Sequence, residues 1–130
     1  MKILQPPSWP RPKGYANGIS ARGRTIVTAG VIGWDENERI VAGGIAGQFR
    51  QVLRNILAIL REDGAGPEHV VRMTCYVVDL DEYRSSLTEI GAVWREVMGR
   101  SFPAMAVVGV TGLVEPEARV EIEAVAIVPD

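Results

Sequence analysis

The sequence predicts an α+β fold in which two amphipathic helices pack on one face of a mixed or mostly antiparallel sheet. Two stretches carry apolar residues at helical spacing, and stretches that alternate in polarity or are rich in β-branched residues surround them. The resulting order of elements is β-β-α-β-α-β-β. The chain has 130 residues, which is the length of a single domain with one core.

The composition is that of an ordinary globular protein, because 47% of the residues are hydrophobic and 23% are charged. The net charge is −2 and there is no basic tract, so nucleic acid is not an expected partner. The N-terminal residues contain no apolar run of signal-peptide or membrane-spanning length, and we expect a cytoplasmic protein without a membrane partner. One cysteine and one histidine form neither an internal disulfide nor a structural zinc site.

The N-terminal third is predicted to be extended. Four early prolines exclude a helix and leave an arm that ends near Gly14. Residues 15–20 and 24–30 are predicted to be strands that form a hairpin around a turn at residues 21–23. The second strand continues to a polar turn at residues 35–38.

Two helices and the strand between them are predicted in the middle of the chain. The first helix follows Gly44 and has Gly64 as its C-cap. Its apolar stripe is Ile45, Phe49, Val52, Leu53, Ile56, Leu57 and Leu60. The strand that follows places one side of its alternating pattern in the core, namely Val71, Met73, Cys75 and Val77. Asp79 or Asp81 caps the second helix, which ends at Gly99. Its stripe is Tyr83, Leu87, Ile90, Trp94 and Val97.

The last two predicted strands, residues 104–113 and 118–128, are apolar on both faces. Helices on one side would leave the second face in water, at a cost of about 25 cal/mol per Å² of apolar surface. We therefore expect a closed, symmetric oligomer with Glu121 and Glu123 near a subunit boundary.

Glu121 is the main candidate for chemistry, because a carboxylate is costly to bury in so apolar a strand unless it is bonded or used. The alternative is a solvated or salt-bridged position at the rim. Glu123, on the same face, either shares a proton with Glu121 or belongs to a pair in which one carboxylate binds an arginine. Trp34 lines a pocket or covers an edge of the core. Cys75 is interpreted as a core thiol and His69 as a surface histidine.

Six segments together resemble the reactive-intermediate deaminase (Rid, or YjgF-type) superfamily over essentially the whole chain. They are PKGYANGI, TIVTAGVIGWD, QFRQVLRNILAIL, MTCYVVDLDEY, SFPAMAVVGV and VEIEAVAIV. The resemblance implies a chorismate-mutase-like α+β fold and a homotrimer whose inner sheets form a barrel, with a small-molecule cleft at each subunit interface. It also implies hydrolysis of enamines and imines to keto acids and ammonia, without metal or cofactor.

The resemblance also implies roles for individual positions. Tyr15 matches the tyrosine of the family's cleft, and Gly30 with Ile32 matches the backbone segment that lines it. Glu121 matches the glutamate that orients water or a proton.

Three positions depart from the deaminating members. Met105 stands where an arginine clamps the substrate carboxylate, Val107 where a cysteine is common, and Leu87 where a helix asparagine approaches the cleft. The chain therefore resembles a member that lacks the carboxylate-binding arginine.

From these matches we predict a Rid-type protein that hydrolyses an enamine, imine or related metabolite other than typical 2-aminoacrylate, with a ligand that is less acidic or more apolar. Tyr15 would bond this ligand and Glu121 would position or protonate it. Met105, Val107 and Trp34 would supply apolar walls. The alternative is a non-catalytic protein of the same fold that binds or senses a small molecule. The net charge disfavours a ribonuclease.

Overall fold

The computed structural model describes residues 1–130 and contains seven strands, three α-helices and one 3₁₀ turn. The strands are β1 (Lys2–Leu4), β2 (Gly18–Ser20), β3 (Arg24–Val27), β4 (Val31–Ile32), β5 (Val70–Val77), β6 (Ala104–Gly109) and β7 (Val120–Val128). The helices are α1 (Gly44–Arg61), α2 (Leu80–Ser85) and α3 (Leu87–Met98), and the 3₁₀ turn spans Pro67–His69. None of these helices combines the length and the apolar character needed to cross a membrane.

The main sheet is mixed, as predicted. Its strand order is β3-β7-β5-β6, and β4 pairs with β7 further along that strand. The β5–β6 pair is parallel, whereas β3, β4 and β5 all pair with β7 in the antiparallel sense. Strand β7 is therefore the centre of the sheet, β6 is one edge, and β3 and β4 form the other. The sheet and the helices together confirm the predicted α+β fold.

The core lies between the helices and one face of the sheet. Twenty-one buried apolar residues form one cluster there. The predicted stripe of α1 is buried throughout, and the rings of Phe49 on α1 and Trp94 on α3 lie 6.5 Å apart. On β7 the even-numbered residues from Val120 to Ala126 are buried. Helical and strand periodicity therefore predicted the core positions of α1 and of β7 from Val120 to Ala126 correctly.

Strand β5 contributes Met73, Cys75 and Val77 to the core, as expected, but Val71 does not join them. The register between β5 and β7 shifts between Val70 and Arg72, and this irregularity turns Val70 inward instead. An extra residue in one strand reverses the alternation of the residues before it, so alternation alone places them on the wrong face.

The second predicted helix is two helices. Asp79 is the N-cap of α2, where its carboxylate accepts a hydrogen bond of 3.1 Å from the backbone N–H of Glu82. Ser86 then leaves helical geometry, with φ −106° and ψ 11°, and α3 begins after it. As a result Leu87 is 53% exposed and does not belong to the buried stripe.

The predicted hairpin of residues 15–20 and 24–30 does not form. Strand β2 pairs with β1, and β3 pairs with β7. The turn at Gly23 approaches the end of β7 so closely that a Cβ there would stand 2.1 Å from the carbonyl oxygen of Val128. Strand β3 pairs with β7, a strand of nine residues that has one apolar face. Pairing distant in sequence replaces the local hairpin because it joins β3 to the core.

No part of the chain covers the other face of the sheet. This face carries the odd-numbered residues of β7, the side chains of Thr74 and Tyr76 on β5, and Val27 on β3, which is 68% exposed. The face is a mixture of charged, aromatic and aliphatic groups, less uniformly apolar than the sequence of the last strands predicted. It is called the open face below.

Candidate functional site

Glu121 lies on the open face in the first half of β7. Its register neighbours are Ile32 on β4 and Tyr76 on β5. Oε2 lies over Gly30, where an added Cβ would stand only 2.3 Å away. The side chain is half-buried and makes no hydrogen bond or ion pair within the chain. The structure thus brings together three of the predicted site residues, Gly30, Ile32 and Glu121.

Glu123 is distinguished from Glu121 by its partner. The hydroxyl of Tyr76 donates a short hydrogen bond to Oε1 of Glu123. This bond, together with desolvation and the negative charges of Glu123 and Glu121, raises the pKa of Tyr76 above its ordinary value. The predicted arginine partner is absent from both carboxylates. Of the two, Glu121 is therefore the one whose carboxylate is available to a ligand.

The backbone beside Gly30 is held in place from α1. The side-chain amide of Asn55 donates to the carbonyl of Ile32 at 3.1 Å and to the carbonyl of Trp34 at 2.9 Å. These two bonds fix the end of β4 after it has paired with β7 at Glu121. The indole of Trp34 is 39% exposed and borders a groove against α1 with Arg54 and Ile59. Gly30 lines the same groove, and Glu121 does not.

Met105 and Val107 lie on the side of the sheet opposite to Glu121. The parallel register pairs Met105 with Met73 and Val107 with Cys75, whose side chains point into the core. Burial raises the pKa of the Cys75 thiol to about 12, as expected for a core thiol. Val107 packs against the core cluster. Within one chain, the sheet therefore separates Met105 and Val107, the predicted apolar walls of the pocket, from the carboxylate of Glu121.

Met105 borders a cavity of about 310 Å³ on the helix side of the sheet. Its walls include Leu87, Ile90 and the ring of Trp94, which stacks on Phe102 at 6.2 Å with 10° between the ring planes. The indole N–H of Trp94 donates to the carbonyl of Ser101 at 3.1 Å, which fixes the ring. The cavity is therefore a preformed, mostly apolar site of the size that small molecules occupy.

Tyr15 lies in a groove that adjoins this cavity. The segment before β2 runs along β6, where Ala16 bridges to Ala104 and its N–H donates to the carbonyl of Pro103 at 3.0 Å. The ring of Tyr15 is 43% exposed and lines the groove together with Trp9 and Phe102. Tyr15 consequently lies beside the β6 edge, in a groove that shares Gly14 and Phe102 with the Met105 cavity.

Sequence reasoning missed two features of these sites. The alternation of β5 places Tyr76 opposite to Cys75, but only the pairing of β5 with β7 sets it beside Glu123. Arg95 and Lys13 border the Met105 cavity, and neither stood out from the other basic residues. The spacing of Gly91 and Arg95, one helical turn apart, was the available signal.

The fold and these sites define a class of protein: a small α+β chain with helices on one face of a mixed sheet, a free carboxylate on the open face and an apolar cavity beside the helices. Residues 10–128 match the family model described as Endoribonuclease L-PSP. The chain belongs to this family, within the Rid/YjgF superfamily that the sequence resembles.

Curated relatives and solved structures agree with this membership. A RutC family protein of Pyrococcus abyssi is 38% identical over 119 residues, which cover 90% of this chain and 89% of that protein. The human 2-iminobutanoate/2-iminopropanoate deaminase is 33% identical over 105 residues, covering 80% and 73% of the two chains. The crystal structure of a Rid-family protein of unknown function from Yersinia pestis matches with a TM-score of 0.85 and 32% identity over 98% of each chain.

Proposed function

We propose that the protein hydrolyses an enamine or imine, other than typical 2-aminoacrylate, at a cleft between copies of the chain in a homotrimer. The observation that carries the proposal is the carboxylate of Glu121, which lies against Gly30 on the open face without a partner in the chain. A carboxylate left free beside closely approaching backbone is available to a reacting group. The activity named for the human relative supports this assignment.

The separation of the predicted site residues supports the subunit cleft. Glu121 and Gly30 lie on one side of the sheet, whereas Met105 lies on the other and Tyr15 lies beside the β6 edge. A single chain cannot bring these groups to one ligand. A rotationally symmetric assembly can set the open face of one copy near the β6 edge of the next.

The proposed reaction converts an imine and water into a carbonyl compound and ammonia. Glu121 accepts a proton from the water as its oxygen bonds to the imine carbon. It returns that proton to the nitrogen, which gives a carbinolamine. The carboxylate then moves the proton of the new hydroxyl group to the nitrogen, and the carbon–nitrogen bond breaks as the carbonyl forms and ammonia leaves. An enamine first takes a proton on carbon to become the imine. Tyr15 hydrogen-bonds the ligand, and Met105 supplies an apolar contact.

Met105 sets the proposed difference from deaminases of small imino acids. A hydrogen bond to a charged group contributes about 1.5 to 3 kcal/mol, so the missing arginine at this position weakens a small carboxylate substrate by roughly 10-fold to 150-fold. Apolar surface at Met105 and Leu87 favours a larger substrate body.

The test measures the rate of ammonia release from imines that an amino-acid oxidase generates in the assay. This rate is compared with the rate of spontaneous hydrolysis without the protein. Glu121→Gln keeps the side-chain size and removes the proton acceptor, so the rate should fall by about 100-fold or more. Glu123→Gln is the matched control from the same strand face and should retain most activity. An unchanged rate in Glu121→Gln contradicts the assignment.

The alternative function is non-catalytic binding of a small molecule. The apolar character of the cavity beside Met105, which is complete within one chain, favours it. A wild-type protein that accelerates no imine hydrolysis, together with a Met105→Arg variant that does, would establish a deaminase scaffold adapted to binding.

A further inference from the structure

The Met105 cavity and the Tyr15 groove adjoin each other, and the two together are called the depression below. Gly14 and Phe102 line both of them. The depression is bordered by four basic side chains and by no aspartate or glutamate. The four are Arg11 and Lys13 from the N-terminal arm and Arg95 and Arg100 from the end of α3 and the residues after it.

None of these four cations has an ion-pair partner within the chain. Some arginines elsewhere are paired, such as Arg50, which lies 2.9 Å from Glu96, and Arg119, which lies 2.5 Å from Glu82, whereas others, such as Arg61, are not. The positive charge at the depression contrasts with the net charge of −2 of the whole chain. Cations that converge on a concave apolar surface raise the local concentration of anions.

Arg95 is the cation with the most defined geometry. It lies in the last turn of α3, and its Nη1 is 3.5 Å from the position that a Cβ on Gly91 would occupy. Helical side chains lean toward the N-terminus, so Arg95 reaches back over the preceding turn. The guanidinium therefore lies over Gly91, and both residues line the cavity.

The interior of the cavity is suited to an apolar body. The stacked rings of Trp94 and Phe102 form one wall, and Ile90 and Leu87 contribute aliphatic surface. A ligand with a hydrophobic part and an anionic head would place the former against these walls and the latter at the basic rim. A small anion would interact only with the basic side chains at the rim, and a neutral apolar molecule would contact only the apolar walls.

We propose that this cavity binds a carboxylate with an aromatic-sized apolar body, and that Arg95, assisted by Lys13, holds the carboxylate in place of the arginine absent at position 105. The identification of this ligand as a substrate rests on the proposed function. If that function holds, the substrate is an imino acid with a large apolar side chain. This inference replaces the expectation of a less acidic ligand.

The test is a binding measurement that needs no catalysis, with three probes compared by calorimetry on the intact protein. Phenylacetate carries the body and the charge, phenylacetamide carries the body alone, and acetate carries the charge alone. We expect phenylacetate to bind about 10-fold or more tightly than either of the others, and added salt to weaken it.

Arg95→Gln should weaken phenylacetate by about 10-fold and leave phenylacetamide unchanged. Arg61→Gln is the matched control, because Arg61 is also exposed, unpaired and in the last turn of its helix, α1. Equal binding of phenylacetate and phenylacetamide, equal effects of the two substitutions, or no binding of phenylacetate overturns the inference.

The outcomes separate this inference from the proposed function. Selective phenylacetate binding that depends on Arg95, in a protein that releases no ammonia from any imine, leaves the inference standing and the deaminase proposal refuted. Ammonia release from aliphatic imines that is indifferent to Arg95→Gln, with no selective phenylacetate binding, gives the reverse result.

Discussion

The carboxylate of Glu121 occupies the space where a side chain at Gly30 would be. A Cβ on Gly30 would stand 2.3 Å from Oε2 of Glu121 and 2.8 Å from its Cδ. Gly30 does not have a positive φ, so backbone conformation does not require glycine there. The close approach of the glutamate requires it. The orientation of the Glu121 carboxylate is thus fixed jointly by β7, which carries it, and by Gly30, which precedes β4.

This relationship predicts the effect of Gly30→Ala. The methyl group forces the Glu121 carboxylate to move, and overpacking of this kind costs about 1 to 3 kcal/mol. We expect ammonia release to fall toward the level of Glu121→Gln while circular dichroism shows a folded protein. Gly112→Ala is the control, since nothing lies within 4 Å of an added Cβ there and its φ is ordinary. Full activity in Gly30→Ala would mean that the position of Glu121 is unimportant.

Gln48 is predicted to be a major contributor to stability. It is the buried polar residue of the core, at 4% exposure, and its amide bridges the loop before β7. Its Nε2 donates to the carbonyl of Glu117 at 3.1 Å, and its Oε1 accepts from the N–H of Arg119 at 2.8 Å. Gln48→Met keeps the size and leaves both backbone groups unpaired, at about 1 to 3 kcal/mol each.

The prediction is measured by urea unfolding. Gln51→Met, one turn nearer the middle of α1, removes only a side-chain bond of 2.8 Å to Asn55 and serves as the control. We expect the free energy of unfolding to fall by about 2 to 4 kcal/mol for Gln48→Met and by under about 1 kcal/mol for the control. Equal losses would show that the bridge adds nothing beyond an ordinary surface hydrogen bond.

Stability should decrease in alkaline solution. Burial raises the pKa of Cys75 from 9.0 to about 12, and burial followed by the charge of Cys75 raises that of Tyr83 from 10.0 to about 12. Because the folded state holds these protons more tightly than the unfolded state, the contribution is complete below pH 9 and is lost as pH rises toward about 12. For the fully buried thiol the loss reaches up to ~4 kcal/mol.

The midpoint of thermal unfolding should therefore fall between pH 9 and about 12. Cys75→Ala and Tyr83→Phe each remove one titrating group, so the slope of stability against pH should flatten in both. The comparison uses slopes because Cys75→Ala also removes packing. Slopes that match the wild type in both variants would contradict burial as the origin of the decline.

The proposed trimer predicts an effect of Val27→Lys. Val27 is 68% exposed on the open face, so lysine costs an isolated chain little. If three open faces meet in the assembly, the charge is buried there and the trimer should dissociate at micromolar concentration. Val114→Lys is the control, because that side chain is 101% exposed in a loop. Sedimentation that gives a monomer for the wild type refutes the trimer, and identical masses for wild type and Val27→Lys place Val27 outside the interface.

Local sequence patterns were sufficient to predict helix α1, most of the core and the family. The helical stripe of α1 is fixed by the spacing of its apolar residues, and alternation along β7 separates Ile122 from Glu121, because both patterns depend only on neighbouring residues. Each segment that resembles the family is a continuous stretch of sequence, so it can be recognised without the fold. The family model matches residues 10–128. Glu121 stood out because a charged residue interrupts an apolar strand.

The pairing of the strands, and the side of the sheet on which each site residue lies, became known only from the folded chain. Strand β3 joins β7, the phenol of Tyr76 meets Glu123, and Met105 lies across the sheet from Glu121. The basic rim around Arg95 also exists only after the N-terminal arm folds along β6. Such pairings are set by the burial and hydrogen bonding of segments far apart in the chain, and local periodicity carries no information about which distant strand a segment will meet.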